Sequence, residues 1–374
     1  MAANAKNIHV DSTFKITTEK LPLIVLGSTD MTRKFNLIGF TITSNETAKD
    51  HEFTFKSLCL GVQKITDDKQ QIEPSALIAD ADPAIHKGFV NVFNDVPIIM
   101  CYAHVMDNAQ RKYKYNDKAN KAGMLNDLRV LHKAPNRESF QAGCNLFVQK
   151  WNEKEGESVK KLQKSFFRKN SNWFIGAGHP IPKTNNVLER FNGTLKLFET
   201  QFKRKPLKQF QQHAIKIVQH RSKEYKIDKE PFQSELKISE NLMQKGLAYT
   251  KNFISQTKEN GEVEFFIHRT GIDGEITEEM VDNFQNAVYE TFDEYAEKSF
   301  DIWKVTFKPD PEQWKHAVCT CPSFDADYMC KHIIGIGKMI GIIKEPAERN
   351  YDDQPLFRAT RGRPKRATAA LNTD

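Results

Sequence analysis

Four residues late in the chain are spaced for metal binding: Cys319-x-Cys321-x8-Cys330-x-His332. Three thiolates and an imidazole are the soft donor set that Zn²⁺ takes in closed tetrahedral sites. With every position filled by protein, such an ion holds the fold and does no chemistry. The spacing is that of metal ligands in an intracellular protein, not of a secreted disulfide framework. Cys59 and Cys144 read as core residues. A second set of candidates carries oxygen donors. Asp11 interrupts the β-prone run Ile8–Phe14, and Asp80 ends the apolar run Ala76–Ala79. Cys101 and His104 follow a second apolar run, Val96–Met100. Glu189 lies on a helical segment with Asn185 four residues before it and Asn192 three after, hence on one face. Asp80 has two readings at this point, a cap on the helix opening at Pro83 or a member of a site at strand ends. For the Asn185–Glu189–Asn192 stripe, that helix taken alone favours a solvated face.

The elements that must position these groups follow from apolar periodicity. The N-terminal third gives strands at Ile8–Phe14, Leu21–Gly27 and Asn36–Thr43, then a helix over about Ala48–Lys64 with Phe53, Phe55, Leu58, Leu60 and Val62 as apolar positions. Strand, helix and strand follow from Ala76 to Met100, the helix carrying Ile85, Phe89, Val90 and Phe93. This is the element order of a ribonuclease-H-like α/β domain. In that fold the first and fourth strands are neighbours, so Asp11 and Asp80 would lie side by side. Residues 109–174 turn helical and charged and read as an all-helical insertion, about 110–178, before a helix capped by Thr184 or Asn185 that runs to Lys196. Residues 205–250 are helical again, and 263–267 and 299–307 are β-like. Ala317–Thr320 reads as a strand entering a knuckle and Ile333–Ile343 as an apolar helix, together a small ββα finger. The expected division is 1–200, 201–300, 301–345 and a flexible basic tail over 346–374.

Hydrophobic content of 39% with 28% charged residues describes a soluble globular protein, and 26 Phe promise well-filled cores. The net charge of +7 is compatible with a nucleic-acid partner. No apolar run is long enough to span a bilayer, and no signal peptide opens the chain.

The cysteine–histidine pattern matches the SWIM-type zinc finger over its whole length. With that finger behind it, the front of the chain resembles the transposases of Mutator-like elements, the MULE group of DDE transposases. Three blocks between Ile8 and Ile343 carry the resemblance. They are Ile8–Phe14 with its following strands, Leu77–Ile85 through Cys101-x2-His104, and Asn185-x3-Glu189-x2-Asn192. The resemblance implies that Asp11, Asp80 and Glu189 hold two Mg²⁺ or Mn²⁺ ions, roughly 4 Å apart, for in-line phosphoryl displacement. The nucleophile would be water in cleavage and a freed 3′-hydroxyl in joining. Asp82 rivals Asp80, but Asp80 directly ends the strand and falls where the family has its acid. Cys101 and His104 match the family's Cys-x2-His. They would support the metal site or the scissile phosphate, or else be a buried Cys and a hydrogen-bonded His. Asn185 and Asn192 would contact DNA or hold their helix in place.

Arg361-Gly-Arg363-Pro364 resembles the core of an AT-hook, a basic arm for the narrow minor groove of A·T-rich DNA; a generic basic tail or nuclear-import signal is the other reading. The resemblance further implies a nuclear protein that acts on DNA as a homo-oligomer, away from membranes. Ten residues precede Asp11 where the family usually carries a zinc-binding DNA-recognition domain; a truncated gene model, an element remnant and a host protein that uses the shortened form are the three readings, each putting end-specific recognition in question. Two function classes follow. One is a metal-dependent DNA-strand transferase or nuclease. The other is a catalytically silent, domesticated DNA- or protein-binding module.

Overall fold

The computed structural model describes residues 2–178, 181–199, 201, 203–226, 235–272, 274–308 and 310–344. The tail with Arg361 and Arg363 lies outside them. Three antiparallel strands open the fold: β1 (Asn7–Thr13), β2 (Leu23–Thr29) and β3 (Phe35–Ile42). After α1 (Ala48–Ile65) come β4 (Ala76–Ala79), α2 (Pro83–Val90) and β5 (Ile98–Met100). The sheet order is β3-β2-β1-β4-β5, with β4 parallel to β1 and β5 parallel to β4. β2 and β4 are buried at every position, as strands covered on both faces are.

One face of this sheet is covered by α1 and α2, whose Phe55, Leu58, Ile85 and Phe89 pack on Ile8, Val10, Leu26 and Leu77. Thr47 and Asp50 start α1 with a reciprocal capping box. Phe53 and Leu60, expected among the apolar positions of α1, are 58% and 65% exposed. Each lies two residues from a member of the buried stripe, roughly 200° round the helix, so it cannot share that face.

The chain leaves β5 through α3 (Tyr102–Asp107), then α4 (Lys118–His132) and α5 (Arg137–Leu162). These helices enclose a core of their own around Leu128, Phe140, Phe147, Trp151 and Trp173. α5 bends at Glu155, whose buried carboxylate accepts hydrogen bonds from the Asn116 and Asp117 N–H groups and the Asn120 amide. The excursion ends where it began. Met100 N–H donates to the Asn172 carbonyl at 3.1 Å, and Asn172 Nδ2 donates to the Ile98 carbonyl at 3.1 Å. From there α6 (Asn186–Thr194) and α7 (Leu207–Lys226) cross the other sheet face, where Leu188, Leu195 and Phe210 meet Leu23, Val25 and Leu37.

The C-terminal part holds α8 (Glu240–Leu247), β6 (Ile254–Thr257), β7 (Val263–His268), α9 (Glu278–Gln285), α10 (Phe292–Lys298) and β8 (Ile302–Phe307). β9 (Val318–Cys319), α11 (Pro322–Asp327) and α12 (Lys331–Met339) complete it. Strands β6 to β9 form one antiparallel sheet in sequence order. α9, α10 and α11 were not expected. α10 sends Phe292 and Tyr295 into the core of the helical excursion. The apolar helix ends at Met339, short of the expected Ile343. No helix among the described residues is long and apolar enough to cross a membrane.

Candidate functional site

β1 and β4 run parallel in register, Ile8 opposite Leu77 and His9 opposite Ile78, so their C-terminal ends face the same way. Asp11 lies toward that end of β1, and Asp80 immediately follows β4. The two carboxylates feel each other. Burial, and then the Asp80 charge, push the Asp11 carboxyl up to about 6. The capping role first open to Asp80 falls instead to Asp82, whose Oδ1 accepts from Ala84 N–H at 2.7 Å at the start of α2. Asp82 donates its own N–H to Asp80 Oδ1 at 3.1 Å.

On α6 two members of the polar stripe, Asn185 and Asn192, turn inward and are buried, against the solvated-face reading, while Glu189 between them stays exposed. Asn185 occupies the cap position but makes no capping bond with its side chain. Its Nδ2 donates to the Val10 carbonyl at 2.9 Å and its Oδ1 accepts from His9 Nδ1 at 2.9 Å, while its backbone N–H donates to Cys101 Sγ at 3.2 Å. The far ring nitrogen of His9 then accepts from the Thr29 hydroxyl at 3.0 Å. Burial holds His9 down at about 4, so the ring is neutral. Asn192 Nδ2 donates to Asp11 Oδ2 at 2.8 Å. His9 and Thr29 were missed in the sequence. His9 and Asp11 are two apart on a strand and share a face, a spacing that by itself does not tell a tie to a helix from a core histidine.

Cys101 and His104 stand at the start of α3. Cys101 N–H donates to the Ala79 carbonyl at 2.9 Å, which seats it against the end of β4. His104 Nε2 lies 3.7 Å from Glu189 Oε1, and donor atoms of Cys101, His104 and Glu189 all fall within 4.8 Å of one another. The adjacent Cys101 sulfur outweighs burial and, with Asp80 and Glu189, lifts His104 to about 9. Among the described residues Asp11, Asp80 and Glu189 do not close to that distance as a trio; Glu189 is turned toward His104.

The second cluster is the cysteine-rich one. Cys319 lies on β9, Cys321 and Cys330 precede α11 and α12, and His332 sits in the first turn of α12. All four are buried with donor atoms within 4.8 Å, Cys319 Sγ to His332 Nδ1 being 3.9 Å. Burial drives the Cys319 and Cys330 thiols up, while hydrogen bonds from Cys319 and Cys330 draw Cys321 down. A divalent cation lets all three sulfurs ionise. Donor type, number and closeness fit structural Zn²⁺.

This cluster docks on the first sheet. At the β2–β3 turn Arg33 has φ of 62°, donates from Nη2 to the Asp325 carbonyl, and lies 4.4 Å from the centroid of the Tyr328 ring. Lys183, on the segment leading to α6, is buried with Nζ donating to the Gly178 and Ile181 carbonyls, and burial lowers it to about 8.

Two family comparisons match. The MULE transposase domain matches residues 7–108, a span holding β1 to β5 with Asp11, Asp80, Cys101 and His104. The SWIM zinc finger matches residues 305–336, which hold all four cysteine and histidine ligands. No curated protein matches the chain. Glu189 falls outside both spans, so its place rests on geometry alone. Residues 7–108 are thus a MULE transposase domain and residues 305–336 a SWIM zinc finger.

Proposed function

We propose that this protein is a metal-dependent DNA-strand transferase or nuclease built on a ribonuclease-H-like sheet, with Asp11, Asp80 and Glu189 as its acids. The observation that carries the reading is the pair of adjacent carboxylates at the same end of parallel neighbours β1 and β4, one of them half-buried and held up to about 6. Such a pair gains most from a hard divalent cation, and oxygen donors fit Mg²⁺ or Mn²⁺. Two such ions would supply charge for both the attacking and the leaving oxygen of an in-line displacement. Asn192 fixes one oxygen of Asp11 through its amide, leaving the other for a ligand role. His104, charged at neutral pH, would set a positive group beside a bound phosphate. Asn185 and His9 would hold α6 against β1, so that Glu189 stays within reach.

In the same reading the finger contacts DNA or a protein partner, the tail with Arg361 and Arg363 contacts DNA, and the protein works in the nucleus as an oligomer. Its units would be a catalytic region over 1–200 with a helical insertion near 110–178, a connector over 201–300, the finger over 301–345 and the tail over 346–374. The sheet order, with β4 inserted beside β1, supports the first of these units.

A second reading, a catalytically silent DNA- or protein-binding module, is favoured by one observation. The Glu189 carboxylate lies beside His104 and is not grouped with Asp11 and Asp80. Cleavage or strand transfer in Mn²⁺ on a short duplex with a pre-exposed 3′ end separates the two. Outer partners of metal ligands are worth ~10–100-fold, so Glu189→Gln at a ligand should cost at least ~100-fold. Folded wild type with no activity would establish the silent module, and activity that survives in Glu189→Gln would remove Glu189 from the site.

A further inference from the structure

We propose that Cys101, His104 and Glu189 form a transition-metal site, separate from the SWIM cluster, that takes Zn²⁺ or a similar thiophilic cation and holds the third acid away from the other two. The site stands on its own geometry; its consequence for activity rests on the function proposed above. Its donors come from two elements. Cys101 and His104, three residues apart at the start of α3, share a face, and Glu189 reaches them from α6. One donor atom from each lies within 4.8 Å of the other two. Three protein donors with an open fourth position is the arrangement of zinc sites that keep a water.

The chemistry of the set differs from that of the acids. A thiolate and an imidazole select zinc over magnesium, whereas Asp11 and Asp80 offer only hard oxygen. The sulfur already has an outer partner, since Asn185 donates its backbone N–H to Cys101 Sγ at 3.2 Å. Partners of that kind orient a ligand and strengthen its hold. Access is open, with the His104 and Glu189 side chains 31% and 41% exposed. An ion here ties α3 to α6 and keeps Glu189 on His104, so zinc would oppose the Mn²⁺-dependent reaction.

The test is the zinc content of the full chain after equilibration against a buffered free-zinc solution, measured by mass spectrometry. Wild type should hold about two ions per chain, and Glu189→Gln about one, the SWIM cluster keeping its own. Cys101→Ser should also fall to about one, and because Cys101 is buried against Asn185, the exposed Glu189 supplies the variant least able to disturb folding. About one ion in wild type, or equal content in all three proteins, overturns the proposal. In Mn²⁺ reactions, half-inhibition by zinc should need ~10-fold more zinc in Cys101→Ser than in wild type, each measured against its own uninhibited rate. Loss of the Cys101 sulfur without any such shift also counts against it. If no protein cleaves DNA, the strand-transfer reading fails while the zinc count still decides the site.

Discussion

Asp11 is the residue at which charge and burial conflict most. Its carboxyl ionises near 6 in the folded chain and near 3.8 when exposed. Between those values the unfolded state releases its proton first, so metal-free stability falls as pH rises, by about 3 kcal/mol in all. Asp11→Asn keeps an acceptor for Asn192 and removes the charge crowded against Asp80. Metal-free Asp11→Asn should therefore melt higher than wild type at pH 7, lose that advantage below about pH 4, and lose it again for wild type saturated with Mn²⁺. Thermal melts across pH with and without the ion measure this. A variant that melts below wild type at pH 7 would mean the carboxylate is not strained. Asp11 and Asp80 were legible because acids ending apolar runs are conspicuous. His9 was not, since a histidine in a strand looks the same whether it holds a helix or fills a core.

At the level of elements, α6 is seated by one side chain. Asn185 satisfies the Val10 carbonyl, His9 Nδ1 and, through its backbone, the Cys101 sulfur. Asn185→Ala leaves the first two buried without partners, at ~1–3 kcal/mol each. The variant should lose about 3 kcal/mol in urea unfolding, and amides of α6 should exchange faster than those of β1. Uniform exchange in both elements would show that packing alone seats the helix. The sequence made the first sheet readable, because β1, β2 and β4 are apolar runs with turn residues between them. It placed the α6 helix, but taken alone the helix favoured a solvated stripe, whereas Asn185 and Asn192 turn inward and Glu189 does not, because period says which residues share a face and not what that face meets. α9, α10 and α11 are short and were passed over for lack of enough turns to establish a period.

Across the whole molecule, the SWIM cluster and the first sheet meet through Arg33, which is 292 residues from Asp325 in sequence. Nothing local in either segment announces that contact. The Asp325–Tyr328 stretch lies between Cys321 and Cys330, so removing zinc should free it and release Arg33. Chelation should make the β6–β9 sheet sensitive to protease while β1 to β5 stay protected. Arg33→Ala should keep its zinc yet be cut faster around Asp325–Tyr328, by ~5-fold for a contact of about 1 kcal/mol. Equal cutting of variant and wild type would show that the two parts touch without supporting each other. The helical excursion has a different consequence. It leaves β5 and comes back to it, tied by Met100 and Asn172. Where two ends already meet, doubling the intervening chain costs only about 0.6 kcal/mol of closure entropy. α4 and α5, which lie beyond the site residues Cys101 and His104, are thus an exchangeable cassette. Another helical body could be grafted in their place without disturbing the strands that carry Asp11 and Asp80, provided it offers Phe292 and Tyr295 an apolar seat.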